Sequence, residues 1–154
     1  MRWLRQWGPA VSWALLIWVF STGSFSGANT SRFILPLLHW LLPHASAGTL
    51  EFLHFLIRKA AHFAEYFIFS QLLLRGFRGE RGGWKIAWGL AALAIAAAYA
   101  ALDEVHQAFV PERQASPVDS LLDTAGATAA QVLAWARGRR QARRLDRGAL
   151  SLLH

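Results

Sequence analysis

The sequence contains no cysteine, which excludes both a disulfide framework and a thiolate metal site. Charge is also scarce. Asp, Glu, Lys and Arg make up 16% of the 154 residues, against roughly 25% in a soluble domain. This length leaves no room for a separate soluble module. No internal repeat is evident, and no A-x-A-like cleavage site follows the first apolar run, where Phe25-Ser26-Gly27-Ala28 stands. That run is therefore expected to be retained as a span rather than removed as a signal. The sequence also lacks a serine nucleophile elbow, the histidine-containing pattern of lipid phosphatases, and the second acidic motif of membrane alcohol phosphotransferases.

What the sequence does contain is apolar. Hydrophobic residues account for 55%, and eight Trp and ten Phe suit membrane interfaces and lipid-facing surfaces. The net charge of +7 would point to nucleic acid in a soluble chain, but its distribution argues against that partner. Six arginines fall within Arg137–Arg147 and others flank apolar runs, with no aromatic-interleaved basic surface. The pattern is that of membrane orientation signals, and the Arg-rich tail reads as an anchor on anionic lipid.

Four spans are expected: Pro9–Phe25, Leu50–Leu74, Trp84–Leu102, and a last one from Pro117 to Trp135. Between the first two, Arg32–Leu42 is broken by Pro36 and closed by Pro43. Eleven residues rise only about 16 Å as a helix, too short for a core of about 30 Å, so this segment should lie in the interface or be re-entrant. The fold class is thus all-α, a bundle of four transmembrane helices plus that short segment. Residues 1–136 form the transmembrane domain and 137–154 a basic tail. The third span is rich in Ala, which lets neighbouring helices approach closely. Asp103 to Arg113 reads as a polar loop, with Ser116 as N-cap and Pro117 at the first helical position of the last span. Basic residues cluster before span one, between spans two and three, and after span four. The positive-inside rule then puts both termini in the cytoplasm and the loops after spans one and three outside.

Chemistry concentrates near those outer ends. Arg58, His62 and Glu65 stand at i, i+4 and i+7 and share one helix face, flanked by Lys59 and Tyr66. An ionisable side chain at the centre of a span costs about 2.5–3.5 kcal/mol, so these side chains must face partners or water. Asp119 and Asp123 are likewise i, i+4, as are Asp103 and Gln107, with Glu104 three residues before Gln107. Arg58 is expected to compensate Asp119 or Asp123. One account of all these groups is helix bracing. A charge count weighs against bracing alone. Arg58, Lys59 and Arg113 supply three cations, while Glu65, Asp103, Glu104, Glu112, Asp119 and Asp123 supply six acids. The surplus points to exposure, protonation, or a match by protonated histidine, a metal ion or a cationic ligand. His106 is the weaker histidine, placed in the loop, and His39, His44, His54 and His154 show no spacing that recruits them.

Together these residues resemble the VanZ-like family. The resemblance rests on Arg58-Lys59-Ala60-Ala61-His62-Phe63-Ala64-Glu65-Tyr66 and on Asp103-Glu104-Val105-His106-Gln107-Ala108-Phe109-Val110-Pro111. It continues through Arg113, Ser116, Asp119 and Asp123-Thr124-Ala125-Gly126, and includes the Ser- and Gly-rich stretch from Phe20 to Arg32. It covers roughly Val11 to Trp135. Glu112 departs from the Gly expected after Pro111. The resemblance implies a helical membrane protein connected, in some members, with the cell envelope and teicoplanin or other glycopeptide susceptibility, and it implies no reaction.

The leading functional expectation is binding of a membrane lipid, either an anionic headgroup or a lipid-linked cell-wall precursor. Arg58, Lys59 and Arg113 would contact phosphate, and Asp103, Glu104 and Gln107 would orient the remainder. An enzyme acting on such a lipid is the alternative, with His62 and Glu65 as base and orienting acid and Asp119 and Asp123 on a divalent ion. A small transporter would need an oligomer, and self-association stays open. The residues name no cofactor and assign no metal site.

Overall fold

A computed structural model of the chain describes residues 1–110 and 116–151. All regular structure among them is helical, with no strand. Helix α1 spans Arg2–Phe20, a 3-10 turn follows at Gly23–Phe25, and α2 spans Gly27–Leu41. Then come α3 at Ala47–Arg78, α4 at Ile86–Ala108 and α5 at Pro117–Ser151. Caps set several boundaries. The Ser26 hydroxyl accepts from the Asn29 N–H to open α2, and Ser46 accepts from Thr49 to open α3. Helix α3 closes at Gly79 (φ +59°), and Gly83 (φ +78°) completes the turn into α4.

Helix α3 is the hub. It packs most extensively on α5 and also touches α1, α4 and α2. Its contact with α5 is close because Gly126 sits against the Phe63 carbonyl, leaving no space for a Cβ. Polar side chains lock the same interface. Gln131 Nε2 donates to Ser70 Oγ (2.8 Å) and Ser70 O (3.1 Å), Ser70 Oγ donates to Ala127 O (3.1 Å), and Gln71 Nε2 donates to Ala130 O (2.8 Å). These groups find their partners across the interface. Helix α1 is tied in by Trp13 Nε1 to Glu65 O (2.9 Å) and accepts from Tyr99 OH at Ala14 O (2.8 Å). Trp7 fills the notch at Gly76, where an added Cβ would come within 2.7 Å of the indole.

The buried face of α4 is a stripe at helical spacing. Gly89, Ala92, Ala96 and Ala100 are followed by Asp103, Glu104 and Gln107. Small residues let the neighbouring helices approach, and the same face turns polar at its end. Helix α4 is the one described helix that alone is long and apolar enough to cross a membrane. The stretches Arg2–Phe20 and Gly23–Leu41 meet that measure only jointly, and they are bent by 74° at the break. Helices α3 and α5 fall short, being interrupted by polar and charged side chains.

Three expected boundaries differ. Residues from Asp103 to Ala108 are not a loop: α4 runs through them, because Asp103 and Gln107 bond one turn apart and keep the helix going. Helix α5 does not stop at Trp135 but continues to Ser151 through good helix formers. Helix α2 begins at Gly27, five residues before the expected segment, and tolerates Pro36 inside it. It has no buried residue, and Phe33, Leu37 and Trp40 stand exposed.

Packing gathers the basic clusters at one end. Arg2 and Arg5 share a cavity with Arg75, while Arg78 and Arg137 share another. The conspicuous polar residues collect at the opposite end.

Candidate functional site

That polar end has two parts. The first is an interior layer where α3, α4 and α5 meet. Lys59 Nζ pairs with Asp119 Oδ1. One turn deeper, His62 Nδ1 lies 3.4 Å from Asp123 Oδ1, long for a hydrogen bond. Asp123 is fully buried, and neither carboxylate oxygen has a hydrogen-bond partner among the described residues. The Tyr66 hydroxyl, also fully buried, has none among them either. Gln107 Nε2 donates to Asp103 Oδ2 (2.9 Å), and the backbone N–H of Ser116 donates to Glu104 Oε2 (2.6 Å). The second contact ties the end of α4 to the start of α5.

The second part is a cleft of about 220 Å³ between α1, the 3-10 turn, α2, α3 and α4. Phe20, Phe25, Ile34 and Ile57 give it apolar walls, while Arg58, His62, Glu65, Asp103 and Gln107 supply polar groups. The Arg58 guanidinium lies over Gly27, where an added Cβ would be 3.1 Å from Nη1, and it donates to Thr30 Oγ1 at 3.4 Å. Thr30 Oγ1 is also 3.3 Å from His54 Nε2. At the rim, Ser21 Oγ is 3.2 Å from His106 Nδ1, and the His106 ring stacks on Trp18 with centroids 4.0 Å apart.

Every predicted site residue that is described lies at this end, but in separate roles. Arg58, His62, Glu65, Asp103 and Gln107 line the cleft. Lys59, Tyr66, Asp119 and Asp123 belong to the interior layer, and Glu104 holds Ser116. Arg113 and Glu112 lie outside the described residues. The expected pairing of Arg58 with Asp119 or Asp123 is corrected: Lys59 takes Asp119, His62 faces Asp123, and Arg58 turns toward α2. The two aspartates each meet a group on α3. No group of three or more His, Asp or Glu side chains among the described residues is placed to hold a metal.

Three participants were not singled out from the sequence: Ser21, Thr30 and His54. Ser21 and Thr30 fall in the Ser- and Gly-rich stretch, and His54 stands four residues before Arg58, a usable spacing. His106 was misplaced with the supposed loop.

The family model for VanZ/LLP1 matches residues 7–138. The chain belongs to the VanZ/LLP1 family. No curated protein and no solved structure matches it. The VanZ/LLP1 match runs from the first turns of α1 past the middle of α5, so both parts of the site fall inside it.

The Lys59–Asp119 pair yields a direct prediction for this VanZ/LLP1 chain. A thermal double-mutant cycle of Lys59→Ala and Asp119→Asn should give a coupling of about 1–3 kcal/mol. The same cycle with Arg58→Ala should be additive.

Proposed function

We propose that this is a four-span membrane protein whose outward cleft binds an anionic envelope lipid or a lipid-linked cell-wall precursor. The spans are α1, α3, α4 and α5, and α2 is the interfacial or re-entrant segment. Both termini are cytoplasmic. Support for the orientation comes from three basic clusters that are distant in sequence yet share one end of the bundle, opposite the cleft.

The observation that carries the binding reading is Arg58. It stands in an apolar-walled cleft and forms no ion pair among the described residues. A guanidinium placed so, with donors on one planar edge, suits a phosphate whose chains continue along Phe20, Phe25 and Ile34. Glu65 from α3 and Asp103 and Gln107 from α4 line the same cleft and suit a ligand that also carries amine or hydroxyl groups. Removing such a lipid from wall synthesis, or shielding it, would give this chain an effect on glycopeptide susceptibility.

The test is native mass spectrometry of the gently extracted protein, which should retain an anionic lipid dependent on Arg58. Reporter fusions check the orientation: those after Arg78 and Gly138 should read cytoplasmic, and those at Ser46 and Arg113 external. A cytoplasmic reading at Arg113 would remove the outward site.

A second reading, an enzyme on a lipid-linked phosphate, draws on one observation. His62 lines the cleft with Asp123 behind it, the layout of a base and its orienting acid. Conversion of retained lipid by wild type but not by His62→Gln protein would favour it.

A further inference from the structure

The basic end of the bundle holds a smaller cavity that the outer cleft leaves without a role. It encloses about 130 Å³ between the last turns of α3, the turn before α4, and α5. Gln71, Arg78, Trp84, Arg137, Gly138 and Gln141 are among its walls, and no Asp or Glu among the described residues lines it. Neither Arg78 nor Arg137 forms an ion pair among the described residues.

Neighbouring cations are engaged elsewhere. Arg81 and Lys85 lie over the Trp88 ring, 5.2 and 5.0 Å from its centroid, and Arg139 lies 5.0 Å from that of Trp135. The cavity beside Arg2, Arg5 and Arg75 includes Glu80 and so contains its own counter-charge. The Arg78–Arg137 cavity, by contrast, presents guanidiniums from two helices to a polar space with no acid among the described residues of its lining. Its Trp84 wall is fixed by close packing. A Cβ on Gly89 would come 2.6 Å from the indole, and one on Gly138 would come 3.2 Å from Trp84 Cβ.

Two like charges facing one small cavity repel unless an anion with several acceptor oxygens lies between them. We propose that this cavity binds a single phosphate group, that of an anionic phospholipid in the cytoplasmic leaflet, clamped by Arg78 and Arg137 with the Gln141 side chain beside it. Assignment to a lipid rests on the four-span reading, under which Trp84, Trp88 and Trp135 mark headgroup depth. The clamp differs from diffuse attraction to the Arg-rich tail, because it depends on two particular side chains.

The test uses the full chain in nanodiscs of phosphatidylglycerol and phosphatidylcholine, with retained lipid counted by native mass spectrometry. Made in an Arg58→Ala background, which empties the outer cleft, the Arg78→Gln/Arg137→Gln changes should lower phosphatidylglycerol retention at least about tenfold with an unchanged melting temperature. Arg58→Ala protein should keep this lipid, so failure at the outer cleft is seen separately. An Arg143→Gln/Arg144→Gln variant, which removes the same charge, should also keep it. Equal losses in the two double Gln variants, or no loss in the first, would overturn the site. If the first variant is unstable, Arg78→Lys/Arg137→Lys protein decides: intermediate retention supports the clamp, and retention equal to wild type overturns it. Thermal protection by inorganic phosphate as strong as by short-chain phosphatidylglycerol would keep the phosphate clamp but assign its ligand to the aqueous phase.

Discussion

Replacing Gly126 by alanine should leave little folded protein. The added Cβ would lie inside the van der Waals surface of the Phe63 carbonyl oxygen, and backbone, unlike a flexible side chain, cannot swing aside. Helices α3 and α5 would have to separate, straining the Ser70–Gln131 and Gln71–Ala130 contacts further along the same interface. Overpacking a filled interface costs about 1–3 kcal/mol, and a clash with main chain belongs at or above the upper end. The measurement is the melting temperature and monodispersity of extracted protein. Gly8→Ala is the control, since nothing lies within 4 Å of a Cβ there, and its melting temperature should hold or rise slightly. Wild-type stability of the Gly126 variant would show that α3 and α5 do not meet at this point.

Adjacent residues on α3 should behave in opposite ways. Arg58→Ala should lose the anionic lipid held in the cleft by roughly tenfold or more, the worth of a charge-assisted contact to phosphate, and keep the phosphatidylglycerol held at the basic end, while its melting temperature stays near wild type. Its one described hydrogen bond, to Thr30 at 3.4 Å, is long and contributes little. Lys59→Ala should do the reverse. It strands Asp119, whose side chain is 14% exposed, and should lower stability while the cleft keeps its ligand. Paired melting and lipid-retention measurements on both variants check this. Parallel losses in both would reduce the polar cluster to helix bracing.

That opposition also marks where the sequence stops being readable. Spacing places Arg58, His62 and Glu65 on one face, and those three do line one cleft. Consecutive residues differ by about 100° around a helix, so Arg58 and Lys59 face different neighbours. Which of them meets α5 depends on the rotation of α3 about its axis, and that is set by Gly126, Ser70 and Gln131 through contacts between distant segments. The run from Asp103 to Ala108 misleads for a related reason. Its polarity suggests a loop, yet the polar side chains continue the buried stripe begun by Gly89 and Ala92. The helical class and the grouping of basic clusters were legible because they depend on composition along each segment. The roles of His54 and His106 were not, because Thr30 on α2 and Ser21 at the end of α1 approach them from distant segments.

The most direct test of the central claim is site-specific photo-crosslinking in native membranes. A probe replacing Ile57, on the cleft wall, is compared with one replacing Leu121, which is 70% exposed near the start of α5 and does not line the cleft. The account predicts that Ile57 crosslinks are enriched in an anionic lipid or lipid-linked wall precursor relative to Leu121 crosslinks, and that Arg58→Ala abolishes the enrichment. The same lipid composition at both positions, unchanged by Arg58→Ala, would contradict it.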